Sequence, residues 1–190
     1  LDKSYRTAHH GADLLPAATA PMNAVTLLPG IAYRDEEITI TAFPVDHTPI
    51  DPAMGYRIDY KGRSVVISGD TVSTSSLFEA AKNADLLLHD ALSPIALKIV
   101  IDAMKSRGAE RVAKIVSDVD DYHAHSTNLE AQTKAAGIRQ LAFYHFVPVP
   151  NNPLFEKIFE RGLSEDTVFT KDLMAFQMLP DSDEIIITEL

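Results

Sequence analysis

The sequence predicts a layered α/β domain: a mixed sheet with flanking helices. Two observations lead there. Short β-branched alternations trade places along the chain with stretches of helical periodicity. Three of the predicted strands end on ionisable side chains, Asp70, His89-Asp90 and His145, an arrangement suited to layered α/β proteins, whose ligands gather beyond strand ends.

Residues 1–36 read as a loop-rich N-terminal segment, because His9-His10, Gly11, Pro16, Pro21 and Gly30 interrupt every periodic pattern. Regular structure is expected over 37–190. Ile38–Phe43 alternates and is β-branched, so it reads as a strand. Gly55–Tyr60 alternates too, Lys61-Gly62 supplies a turn, and Ser64–Ser68 follows as a strand buried on both faces. Ser75–Lys82 is a short helix capped by a hydroxyl among residues 73–76. Asp85–Asp90 is a buried strand, and residues 94–117 carry helical periodicity with Ile95, Val100, Ala103 and Met104 on one side. Asn128–Ala136 is a helix closed by Gly137. Arg139–Tyr144 is a strand ending at His145; a helix near Asn152–Arg161 and short strands near Val168 and Ile185–Ile187 complete the chain.

Composition narrows the chemistry. Of 190 residues, 46% are hydrophobic and 23% charged, enough apolar surface to offset the entropy of ordering. No run approaches the roughly 18 consecutive apolar residues of a membrane span. Lys and Arg total 17 against 27 Asp and Glu, a net charge of −10 that disfavours a broad basic face for nucleic acid. Cysteine is absent, so thiolate metal sites, disulfides and cysteine nucleophiles are excluded. A metal here must be held by His, Asp or Glu, and His with Asp is the set that suits zinc, manganese or iron. Taken singly, an aspartate after a strand most often caps a turn, and a strand-end histidine is most often satisfied by a hydrogen bond. Their combination is what points to a site.

Four motifs, in order, carry a resemblance: Ser68-Gly69-Asp70-Thr71, Asp85–Ala91 with His89-Asp90, His125-Ser126-Thr127, and Leu141–Phe146 with His145. Asp46-His47-Thr48-Pro49 followed by Gly55-Tyr56-Arg57-Ile58 belongs to the same pattern. Together they resemble the metallo-β-lactamase superfamily, in the branch of ribonuclease Z and its arylsulfatase-like and phosphodiesterase-like relatives. That resemblance implies an αβ/βα sandwich, of which this chain is expected to form the C-terminal half. It implies a metal-dependent hydrolase of phosphodiesters, sulfate esters or related esters, with two zinc ions (manganese or iron as substitutes). Asp70 matches the metal-bridging aspartate and His145 a terminal metal ligand. Asp90 falls where the branch carries the acid of a His-Glu-Ala-Thr motif, and His125, opening His-Ser-Thr, is the imidazole expected to pair with it and to handle the leaving-group proton. His89 is expected to be packed, His47 to be either beside the metals or an ordinary turn residue, His123 to be solvent-exposed, and His9-His10 to lie on a loop near the cleft.

The family's His-x-His-x-Asp-His motif does not occur here. Two ligands cannot hold a dinuclear centre, so the chain is expected to be inactive alone and to pair with a missing N-terminal half or with itself. The alternative is a non-catalytic subunit that keeps the fold for interaction. A small anionic ester is the favoured substrate over nucleic acid, no membrane is expected as a partner, and the expected compartment is the cytoplasm.

Overall fold

The β-branched alternation from Ile38 does form a strand, and its continuation past Phe43 is longer than the alternation suggests. The computed structural model describes residues 25–189. Strands β1 (Gly30–Arg34), β2 (Ile38–His47), β3 (Ile50–Tyr60) and β4 (Arg63–Ile67) form an antiparallel meander. Helix α1 (Ser75–Ala80) then leads to β5 (Leu86–Leu92), which pairs in parallel with β4. Helices α2 (Pro94–Ser106), α3 (Glu110–Asp118) and α4 (Ser126–Ala135) precede β6 (Gln140–Val147), parallel to β5. Helix α5 (Pro153–Phe159), β7 (Val168–Phe169) and a two-stranded ribbon, β8 (Met174–Gln177) with β9 (Ile186–Glu189), end the chain. The main sheet runs β1 to β7 in sequence order, antiparallel in its first half and parallel in its second.

One face of this sheet builds the core. Phe43, Val66, Leu87, Leu141 and Phe143 meet Leu77 of α1, Leu129 of α4 and Phe159 of α5, all buried. Burying such side chains contributes on the order of 1.5–3 kcal/mol each, before the entropy of ordering is counted. The opposite face carries Tyr56, Ile58, Val65, Ile67, Leu88 and Tyr144, which are only half-buried.

Several boundaries differ from those the sequence suggests. Gly30–Arg34 lies in the stretch read as loop, yet pairs with β2 through a bulge between Ile31 and Tyr33, and is the edge strand among the described residues. The periodic run 94–117 is two helices, broken where Gly108 takes φ +71, a conformation that ends α2 and reverses the chain. His47, for which an ordinary turn position is one of two expectations, ends a strand, because β2 and β3 pair out to His47 opposite Ile50. Gly137 does close α4, with φ +71. Among the described residues no helix is long and apolar enough to cross a membrane.

Candidate active site

The parallel strands deliver their C-terminal ends to one edge of the sheet, and the side chains there are placed by specific backbone devices. After β4, Gly69 adopts φ +70, and its missing Cβ lets the loop approach the Met54 carbonyl: an added Cβ would lie 2.8 Å from that oxygen. Thr71, fully buried, donates to the Asp46 carbonyl and accepts from the Asp46 amide, both at 3.1 Å, tying the end of β2 to this loop. Asp70 sits between these two anchors, about half exposed. His145 is the extra residue of a bulge: Asp90 pairs with Tyr144 and Ala91 with Phe146, leaving 145 unmatched. Its φ of +45 is costly for a residue with a Cβ, and such strain collects at functional positions. The bulge aims its ring at Asp70, with Nε2 3.5 Å from Oδ2.

Beside this exposed pair lies a buried one. Asp90 is inaccessible to solvent, and its Oδ2 accepts a hydrogen bond from His123 Nδ1 at 2.8 Å. His89, also inaccessible, has Nδ1 3.0 Å from Asp90 Oδ1 but is aligned on the Asp90 backbone carbonyl at 2.8 Å. Asp90 Oδ1 and His89 Nε2 are thus left buried without a hydrogen-bond partner among the described residues. Burial by itself pushes the Asp90 carboxyl up, but the hydrogen bond from His123 and the adjacent His89 outweigh it and hold the group below the ordinary carboxylate range. Ser68 Oγ accepts from the Asp90 amide at 3.2 Å, linking the Asp70 loop to the buried acid.

The two pairs touch. The His123 ring is 5.2 Å from that of His145, and His47 and Tyr122 extend the wall, with ring centroids 5.5 Å and 5.1 Å from His123. His47 Nδ1 donates to the Tyr122 carbonyl at 3.1 Å. Tyr144, on the neighbouring strand position, has its phenol raised by burial first and then by the charges of Asp90 and Asp70, while hydrogen bonding to Ser68 acts in the opposite direction.

Asp70, His145 and Asp90 therefore come together, and His125 does not join them. The chain bridges Leu92 alongside β5, with the Leu92 amide on the Ala124 carbonyl at 2.8 Å, and turns into α4 at His125, the residue that precedes its first turn. That turn carries the His125 ring outward, where Nε2 meets Asp120 Oδ1 at 2.8 Å in a partly exposed setting. The imidazole on Asp90 is His123, which the sequence reading placed in solvent and which is 6% exposed. In His123-Ala124-His125 two imidazoles stand two residues apart, and spacing does not say which turns inward. His89 is packed, as expected. His9-His10 lies outside the described residues.

The fit to a metal is incomplete. Asp70 and His145 offer two donors, and among the described residues no group of three His, Cys, Asp or Glu side chains could hold an ion. A zinc site takes three or four protein ligands, so these residues do not suffice on their own.

Comparison with known proteins bears on the same strands. Residues 5–146 match the family described as beta-lactamase superfamily domain. The chain is 36% identical over 147 residues to the ribonuclease Z of Mycobacterium tuberculosis, covering 77% of this chain and 49% of that protein. It is 34% identical to the ribonuclease Z of Mycobacterium avium, covering 77% and 48%. The chain spans about half the length of the curated relatives it matches. Among solved structures, the metallo-beta-lactamase fold protein YhfI from Bacillus subtilis superposes with a TM-score of 0.56 at 17% identity, over 87% of this chain and 60% of that one, a likeness of fold. The family match runs from ahead of the first described strand through the bulge that holds His145, and on it the chain belongs to the metallo-β-lactamase superfamily.

Proposed function

We propose that this chain carries one side of a phosphodiester hydrolase centre whose substrate class is RNA. The observation behind the reading is the contact of two His–Asp pairs at one sheet edge: Asp70 with His145, accessible, and Asp90 with His123, buried. The ribonuclease Z relatives, at 36% and 34% identity, support phosphodiester cleavage and RNA over a sulfate ester.

Each residue has a distinct task in this reading. Asp90, ionised, accepts from His123 Nδ1 and so fixes the neutral ring with its lone pair on Nε2. Protonated there, the ring gives a proton to the departing oxygen, with Asp90 stabilising the imidazolium. Asp70 and His145 are the metal-facing donors, and an ion of the zinc class needs further donors from outside residues 25–189. His125, turned outward onto Asp120, takes no part in the proton transfer.

The test is a chimera in which this chain replaces the matching stretch of the Mycobacterium tuberculosis relative, supplied with zinc. It is expected to hydrolyse bis(p-nitrophenyl) phosphate and to cleave RNA, while the 190-residue chain alone does neither at a comparable rate. Asp70→Ala and His145→Ala abolish turnover, and His123→Ala lowers it roughly a hundredfold, whereas His125→Ala stays near the parent. A folded chimera without turnover overturns the reading, and loss confined to His125→Ala returns the proton to that residue. The net charge of −10 favours a small anionic ester as a second reading, and turnover of the small diester without RNA cleavage would select it.

A further inference from the structure

The segment between Asp90 and His123 leaves the candidate site and returns to it, and the residues that bracket it are hydrogen-bonded to each other. Helix α2 starts at Ser93, whose side chain caps it; the chain reverses at Gly108, and α3 leads back to Tyr122 and His123. Thirteen residues of helix at about 1.5 Å each make α2 roughly 20 Å long from its cap at Ser93 to the turn.

The charge of this hairpin opposes that of the chain. Helices α2 and α3, residues 94–118, hold five basic side chains, Lys98, Lys105, Arg107, Arg111 and Lys114, against three acids, Asp102, Glu110 and Asp118, in a molecule of net charge −10, and the acids Asp120 and Asp121 follow on the return to the site. Lys98 and Lys114 are each paired one turn along their own helices, with Asp102 and Asp118. Lys105, Arg107 and Arg111 are exposed and make no ion pair among the described residues, and all three stand at the tip. Helix stability accounts for one of them: Lys105 lies in the last turn of α2, where a cation complements the helix dipole. Arg107 lies beyond that helix, and Arg111 sits in the first turn of α3, where the dipole disfavours positive charge. A cavity of about 350 Å³ between the two helices is lined by Lys98 and Lys105 and by the acids Asp102 and Asp120, with His125 at its root, so the unpaired cations are concentrated at the tip.

We infer that the α2–α3 hairpin is a phosphate-binding arm, whose tip holds the backbone of an RNA strand with its scissile bond at the candidate site. The inference rests on the phosphodiesterase reading above and adds the surface that retains the substrate. Contacts of this kind are independent of sequence and sensitive to salt, each neutralised phosphate of a single strand contributing about −0.7 to the slope of log K against log salt.

Fluorescence anisotropy of the 190-residue chain with a labelled single-stranded RNA tests it, with no metal added. The K105E/R107E/R111E variant is expected to bind at least roughly tenfold more weakly, with the salt slope reduced by about two. A charge-matched control, K61E/K82E/K171E, alters exposed lysines elsewhere and is expected to bind within a small factor of the parent. K105Q/R107Q/R111Q repeats the measurement at milder charge change if the reversed variant fails to fold by circular dichroism. Equal loss in the tip variant and the control, or no RNA binding by the parent, overturns the arm. Turnover of bis(p-nitrophenyl) phosphate by the chimera separates the two ideas: its absence defeats the hydrolase reading, and its presence with unaltered RNA affinity in the tip variant defeats the arm alone.

Discussion

Asp90 is the residue on which the site's protonation state turns. Its folded-state value lies below the unfolded carboxylate value of about 3.9, so its contribution to stability is complete above that value and is lost as pH falls through the lower, folded one. Denaturant unfolding of the parent is therefore expected to weaken on acidification below about pH 4, with a flatter acid limb in Asp90→Asn. An unchanged limb in the variant would show that other carboxyls carry the effect. At neutral pH, Asp90→Ala leaves His123 and the Ala124 amide facing a buried void and costs about 1–3 kcal/mol. The acid was legible in sequence as the polar end of a buried strand. Its partner was not, because the choice between His123 and His125 is made by where α4 begins.

At the scale of elements, the site depends on loops that only particular residues permit. Gly69 needs both a positive φ and room beside the Met54 carbonyl, so Gly69→Ala meets strain and collision together. It is expected to destabilise the fold by more than about 1 kcal/mol and to displace Asp70. Thermal unfolding and metal-dependent turnover of the chimera measure the two effects, and a fully stable, fully active variant would disprove the arrangement. Gly108, with no atom within 4 Å of an added Cβ, has the same backbone demand without the collision, which makes the hairpin turn conformational rather than packed. The strands β4, β5 and β6 were readable from their β-branched and apolar runs. The bulge at His145 and the extension of β2 to His47 were not, since both arise from cross-strand register.

At the scale of the molecule, the described residues form one main sheet whose second face they cover only in part. Tyr56, Ile58, Val65, Ile67, Leu88 and Tyr144 are half-buried there, and a groove of about 400 Å³ runs between Ile67, Leu88, Tyr144 and the β8–β9 ribbon. Soluble monomers seldom expose contiguous apolar patches beyond a few hundred Å². The isolated chain is expected to associate with a second copy through this face, and light scattering at rising concentration should report more than one chain per particle. A monodisperse monomer across the range would refute it. The C-terminal ribbon is secured at the other end of the sheet by Arg63, whose guanidinium pairs with buried Asp85 at 3.3 Å and donates to the carbonyls of Leu179 and Glu184.

By itself the amino-acid order determined the fold class, the strands that carry chemistry, the family, and the acids and imidazoles from which a site would be chosen. Those are local properties, written in hydrophobic period, strand-end polarity and short motifs. Tertiary structure alone decided that His123 rather than His125 meets Asp90, that His145 leans on Asp70 from a bulge, and that one periodic run folds back as a basic-tipped hairpin. Each of these depends on how backbone segments distant in sequence come into register, and side-chain spacing along the chain carries no record of that.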